Sequence, residues 1–278
     1  MMALPDNPQA VDDKQARLDG VLRSLGRVAV AYSGGVDSTY LLAAASDALG
    51  SGNVLAFTVA SELIPTREVA AAQEIASSLG VEHKVLAVQA LAVPEIAANP
   101  PDGCYFCKRE VLQRSVAAAA DRGSFHLVHG ANRDDRGDYR PGARAAAEAG
   151  ARAPLDEAGL TKAEIRELSR RRGLPTWNQP SQACLASRVP YHTPLTAEAL
   201  HRIQVAEEYL RDRLGLRALR VRDHFPTARI EVPPTDWPLL LAEDVRSALV
   251  AEFCRLGYRY VALDLAGLRS GSMNDLLG

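Results

Sequence analysis

Four short β-branched runs, at residues 27–32, 53–59, 83–88 and 125–130, alternate with helix-length segments around 38–49, 66–79 and 104–121. No other feature constrains the fold as much, because strands joined by helical crossovers pair in parallel and need helices over both sheet faces. The expected class is therefore α/β with a mainly parallel sheet. At 278 residues the chain has room for one large domain or two unequal ones. Thr161-x-x-Glu164 marks one more helix start, with Gly173 as its stop. Residues 174–194, LPTWNQPSQACLASRVPYHTP, then carry four prolines and no periodicity, and read as a boundary or a functional loop.

Beyond a long helix over 196–214 the order changes to strand, short loop, strand, helix, strand. In residues 218–224 alternation puts Leu219 and Val221 on one face and Arg220 and Arg222 on the other; in 228–232, Ala228, Ile230 and Val232 oppose Arg229 and Glu231. If these strands pair as a hairpin, three Arg and one Glu share a face. The ordinary reading of such a face is a solvated sheet surface.

Composition narrows the class. Thirty-two basic residues against 34 acidic ones leave a net charge of −2, unlike a protein whose main business is gripping long nucleic acid. No apolar run approaches the roughly 18 residues of a membrane span. The start, MMALPDNPQAVDDKQ, lacks a basic and then apolar leader pattern, so a cytoplasmic protein without membrane partners is expected. Four cysteines are too few for a disulfide scaffold.

Three motifs carry chemistry. Ser33-Gly34-Gly35-Val36-Asp37-Ser38 follows a buried-strand pattern and opens a helix. Adjacent glycines let the backbone turn tightly and approach an anion, while the helix start offers N–H groups and a positive dipole end. It is neither a Walker loop nor a dinucleotide fingerprint. The second motif, Gly130-Ala-Asn132-Arg-Asp134-Asp135-Arg-Gly-Asp138-Tyr-Arg140-Pro-Gly142, sits at the C-terminal end of the fourth strand, the sheet edge where α/β folds bind ligands. Its acids and Asn132 could hold magnesium or orient a ribose, or simply build a turn. The third is the cysteine set: Cys104-x-x-Cys107 opens a helix, and Cys184 lies in Gln-Ala-Cys-Leu-Ala-Ser-Arg188. Three thiolates suit three irons of a four-iron cluster; a tetrahedral zinc would want a fourth ligand such as His129 or His192; and the pair could equally be structural. Cys254 has apolar neighbours at helical spacing and is expected to be a buried core thiol.

SGGVDS resembles the pyrophosphate loop of the N-type ATP pyrophosphatases. That resemblance implies an adenine nucleotide α-hydrolase-like (PP-loop) domain that cuts ATP between its α- and β-phosphates, with Ser33, Gly34, Gly35, Val36, Asp37 and Ser38 around the nucleotide and Asp37 on magnesium. Gly130 and Asn132 are expected to join the cofactor site. In order along the chain, SGGVDS, GANRDDRGDYRPG, APLDEAGLTKAEIREL, QACLASRVPY, RVRDHFPTARIEVP and GYRYVALDLAGLRSGSMN resemble LarE-type ATP-dependent sulfur transferases from residue 20 onward.

Several expectations follow from this likeness. The substrate would be pyridinium-3,5-biscarboxylate mononucleotide, adenylated and converted to thiocarboxylates for the nickel-pincer cofactor of lactate racemase. Cys184 would be the sulfur cysteine, and with Cys104 and Cys107 it would carry a four-iron four-sulfur cluster fed by a sulfide source. Ser187, Arg188, Arg220 and Arg222 would bind the substrate's anions, and Glu208 and Glu231 would be acidic active-site residues. The catalytic set is then Cys184, Asp37, Glu231 and Glu208. The ATP domain would span residues 1–180 and a smaller α+β substrate and oligomerisation domain 190–278, in a homo-oligomer. His192 departs from the family, which usually has Gly there, and Gly103 stands where a further cysteine is often seen. The alternative is a tRNA thiolase or another PP-loop adenylating enzyme.

Overall fold

The computed structural model describes residues 8–120, 122–123, 125–136, 141–180 and 183–269. Asp138 and Arg140 of the second motif fall outside them. In chain order the helices and strands are α1 (Pro8–Leu25), β1 (Val28–Ala31), α2 (Val36–Leu49), β2 (Val54–Ala60), α3 (Thr66–Ser78), β3 (Glu82–Ala87), α4 (Pro94–Ala97), α5 (Gly103–Ala120), β4 (His126–His129), α6 (Pro141–Glu148), α7 (Pro154–Glu157), α8 (Lys162–Arg171), α9 (Ala197–Leu214), β5 (Arg220–His224), β6 (Thr227–Glu231), α10 (Trp237–Leu241), α11 (Glu243–Arg255) and β7 (Tyr260–Leu263). They divide into two compact units, Met1–Val88 with Asp102–Ser181, and Gln89–Pro101 with Gln182–Gly278.

The first unit is the expected α/β layer. Its sheet runs β3-β2-β1-β4, all parallel. The pleat sorts side chains to two faces. Val28, Val30, Val54 and Ala56 share a core with Leu18 and Leu22 of α1 and Tyr40 and Leu41 of α2, whereas Ala29, Leu55, Phe57 and Leu127 meet Leu112 and Ala119 of α5 and Ala146 of α6. Each fully buried Leu contributes about 1.5–3 kcal/mol. The start of α8 is a reciprocal cap: the Thr161 hydroxyl accepts from Glu164 N–H at 3.3 Å, and the Glu164 carboxylate accepts from Thr161 N–H at 2.9 Å. The stop follows at Gly173, with φ 67°.

The second unit has a three-stranded sheet, β5-β6-β7, in which β5 and β6 form an antiparallel hairpin and β7 runs parallel to β6. Val221, Ala228, Ile230 and Val232 pack with Ala206 and Leu210 of α9 and with Leu249 and Phe253 of α11. Residues 89–101 group with this unit. Their backbone supplies acceptors to the loop before α9: His192 N–H donates to Asn99 O at 2.9 Å, and Leu195 N–H to Ala97 O at 2.8 Å. His192 has φ 64° and Asn99 φ 51°, the left-handed region that favours glycine. Glycine would adopt that conformation at position 192 more readily than histidine does.

Cys254 corrects an expectation. It is exposed, because α11 buries Leu249 and Phe253, one helical turn apart, and Cys254 lies a further 100° round the axis. Among the described residues no helix is long and apolar enough to cross a membrane.

Candidate active site

In the first unit the chain leaves β1 at buried Tyr32 and turns through Ser33, Gly34 and Gly35 into α2. Gly34 has φ 73°, and a Cβ there would sit 3.0 Å from Ala72 Cβ of α3. The loop is tied by its own hydroxyls. Ser33 Oγ lies 3.0 Å from Ser38 Oγ, and Ser33 N–H donates to Ser38 Oγ at 3.2 Å. Within α2 the Thr39 N–H bonds Gly35 O at 2.9 Å; the N–H groups just before it, at Val36, Asp37 and Ser38, have no intrahelical acceptor. They form an anion cradle at the positive end of the helix dipole.

The second motif is pressed against this cradle. A Cβ on Gly130 would come 2.9 Å from Ser38 N and 3.1 Å from Ser38 Cα, so only glycine lets β4 end there. Two residues on, buried Asn132 caps the short turn Arg133–Asp135. Its Oδ1 accepts from Asp134 N–H at 2.9 Å, and its own N–H donates to Asp135 Oδ2 at 3.0 Å. Asp134 Oδ2 in turn accepts from Lys162 N–H at 2.8 Å, at the first residue of α8. The turn-building reading of these acids is thus realised for Asp134 and Asp135.

Lys162 is the residue that motif reading missed. Its Nζ meets Asp37 Oδ2 at 2.5 Å. Burial pushes the Asp37 carboxyl up from the ordinary carboxylate range, and Lys162 pulls against it. The other oxygen, Asp37 Oδ1, is buried without a hydrogen-bond partner. An orphaned carboxylate oxygen beside an anion cradle suits a magnesium ion, which binds through one or two carboxylates plus phosphate oxygens and water.

Cys104 and Cys107 lie one turn apart at the start of α5 in the first unit; Cys184 lies in the second. Among the described residues no three His, Cys, Asp or Glu side chains gather as a metal site. Burial, and then Lys108, push the His129 imidazole down to about 4, so it is neutral near pH 7.

In the second unit Cys184 precedes a single tight turn, Leu185–Arg188. Ser187 N–H and Ser187 Oγ both donate to Cys184 O, at 3.0 and 2.8 Å. Arg188 is buried, with Nε 2.8 Å from Glu207 Oε1. At Arg222 and Glu231 the hairpin face is not the solvated surface of the ordinary reading. Arg222 is 1% and Glu231 0% exposed, joined by bonds of 2.9 and 2.8 Å. Arg222 Nη1 also donates to Ser187 O. The reason is compensation: each guanidinium taken from water keeps a carboxylate and a carbonyl as partners. Arg220 is half-buried and donates to Arg269 O at 2.9 Å; burial, then Arg222 and Arg188, lower its pKa. Glu208 lies on the half-buried flank of α9 and accepts from Gln204 at 2.9 Å, while its neighbour Glu207, absent from the motif reading, takes the ion pair with Arg188.

Comparison with known proteins supplies the family. The family model described as asparagine synthase matches residues 18–119. An uncharacterised protein of Synechocystis is 40% identical over 267 residues, 96% of this chain and 99% of that one. Pyridinium-3,5-bisthiocarboxylic acid mononucleotide synthase of Lactiplantibacillus plantarum is 40% identical over 264 residues, 95% of each chain. Argininosuccinate synthase of Halobacterium salinarum is 31% identical over 160 residues, 54% of this chain and 40% of its own.

Proposed function

Since the chain belongs to the pyridinium-3,5-bisthiocarboxylic acid mononucleotide synthase family, we propose that it adenylates the carboxylates of pyridinium-3,5-biscarboxylate mononucleotide with ATP and replaces the acyl oxygen with sulfur, in the maturation of the nickel-pincer cofactor. A carboxylate resists attack until its oxygen becomes a leaving group. Transfer of AMP to that oxygen, with release of pyrophosphate, supplies one.

The observation that carries this reading is the cradle at Gly34, Gly35 and Gly130 with Asp37 beside it. The amides of Val36, Asp37 and Ser38 would take the departing pyrophosphate. Asp37 Oδ1 would hold magnesium, which neutralises phosphate charge when bound. Lys162, now on Asp37, adds a cation to the same spot. In the second unit Cys184 is the proposed source of the attacking sulfur, and Arg220 is the arginine of the hairpin left to meet substrate anions. The iron–sulfur proposal rests on the donor set alone, three thiols of the kind such clusters use. Iron content after anaerobic reconstitution tests it: about four irons per chain are expected, and their absence would leave Cys184 as sacrificial donor.

The function is tested by incubating full-length protein with magnesium, ATP and the biscarboxylate nucleotide. AMP, pyrophosphate and a thiocarboxylate product are expected; ADP with inorganic phosphate would refute the reading. Asp37→Ala should lower turnover on the order of a thousandfold, the loss of several kcal/mol of metal-side stabilisation. Arg220→Ala should weaken nucleotide binding roughly ten- to hundredfold and leave ATP binding alone; equal loss of both would remove Arg220 from the substrate site.

A further inference from the structure

We propose that Glu207 is a positioning residue that fixes the turn bearing Cys184 by acting through Arg188. The proposal deepens the reading of Cys184 as the sulfur-bearing residue and rests on it.

Glu207 lies on α9 and is 1% exposed. Four donors converge on its carboxylate: Arg188 Nε at 2.8 Å and Nη2 at 3.3 Å, Arg211 Nη2 at 2.8 Å, and Val221 N–H at 3.1 Å. A carboxylate has about four acceptor sites, so this one is filled and has nothing to offer a substrate or a metal. Burial alone would raise its pKa, but Arg188 and then Arg211 outweigh that and hold it below the ordinary carboxylate range. It is a fixed anion.

What it fixes is the fork of Arg188. With Nε and Nη2 on Glu207, Nη1 is aimed at Ala183 O at 2.7 Å, Cys184 O at 3.3 Å and Ser187 Oγ at 2.9 Å. These groups are the backbone on both sides of Cys184 and the hydroxyl that itself holds Cys184 O. A single turn, Leu185–Arg188, has too few internal hydrogen bonds to hold a shape alone. The planar guanidinium transmits orientation from α9 to the cysteine, which a point charge on a flexible stem would not do. Arg188 therefore serves the turn, and its donors are committed before any substrate arrives.

Alkylation of Cys184 tests this without ATP or nucleotide, so its outcome is separate from that of the thiocarboxylate assay. Full-length wild type, Glu207→Gln, Glu207→Asp and Glu198→Gln, a control on an exposed carboxylate of the same helix, are treated with iodoacetamide across the thiol titration range. The rate at Cys184 is read by mass spectrometry of its peptide. Glu207→Gln should raise the high-pH plateau rate about tenfold, the worth of one charged hydrogen bond, because the turn opens. Glu207→Asp should recover part of the change, and Glu198→Gln should match wild type. An unmoved plateau, or a shifted midpoint with an unmoved plateau, would overturn the proposal, since Glu207 would then act on the thiol's charge or not at all. If Glu207→Gln fails to fold, Arg188→Lys tests the same link: it keeps a cation beside Glu207 but loses the fork, and an unchanged plateau there overturns the proposal equally.

Discussion

In the phosphate loop of the first unit, the groups that would meet an anion are backbone amides at the start of α2, admitted because Gly34 and Gly130 carry no side chain. Around Cys184 in the second unit, the polar groups are guanidinium and carboxylate side chains brought from the 183–188 turn, α9 and the β5–β6 hairpin. The amides of the cradle carry no formal charge, and the ion pair beside them, Asp37–Lys162, is only partly buried. The arginine forks remove a great deal of charge from water, and each stands only while its carboxylate partner stands. One site is therefore limited by space, the other by charge balance.

The comparison breaks most visibly at Arg222. Arg222→Ala should strip the buried Glu231 of its two-bond guanidinium partner, with Arg229 still at 3.2 Å, and cost about 3–5 kcal/mol of stability. Chemical denaturation of full-length protein measures this; a loss under about 1 kcal/mol would mean that water reaches Glu231. Gly130→Ala should cost less, about 1–3 kcal/mol for a forced backbone shift, but should sharply weaken ATP binding because Ser38 N is the atom displaced. Calorimetric titration with ATP reads the second effect, and unchanged affinity would detach Gly130 from the cradle. Smallest of all, Cys254→Ser should fall within about 0.5 kcal/mol of wild type, as the exposed position requires. A drop of more than about 2 kcal/mol would restore the core reading of that thiol.

The same contrast explains what the sequence made legible. A backbone site demands glycine at fixed spacing, so SGGVDS and Gly130 announce themselves in a linear reading. The parallel order of β1 to β4 was equally open, because a strand buried on both faces leaves an apolar run such as VLAFTVA in β2. A side-chain site leaves no such trace. Glu207 and Arg188 are 19 residues apart, and alternation in the hairpin marks Arg222 and Glu231 as sharing a face without saying whether water or protein covers it. Lys162 was hidden in another way: its 125-residue separation from Asp37 gives no local signal.

The membership of residues 89–101 in the second unit changes how the polypeptide must be assembled. The chain passes between the units after residues 88, 101 and 181, so three covalent tethers join them where a simple tandem would have one. Native pairing of Asn99 with His192 closes a loop that encloses all of α5 to α8, and contacts of such long sequence separation carry a large loop-closure cost and slow folding. A fragment starting at residue 182 would lack these partners: the amides of His192 and Leu195 would lose their acceptors at Asn99 and Ala97, and the carbonyls of Val189 and Pro190 would lose the Asn99 side-chain donor. During synthesis on the ribosome, then, residues 89–101 must wait for the last third of the chain before they have a place.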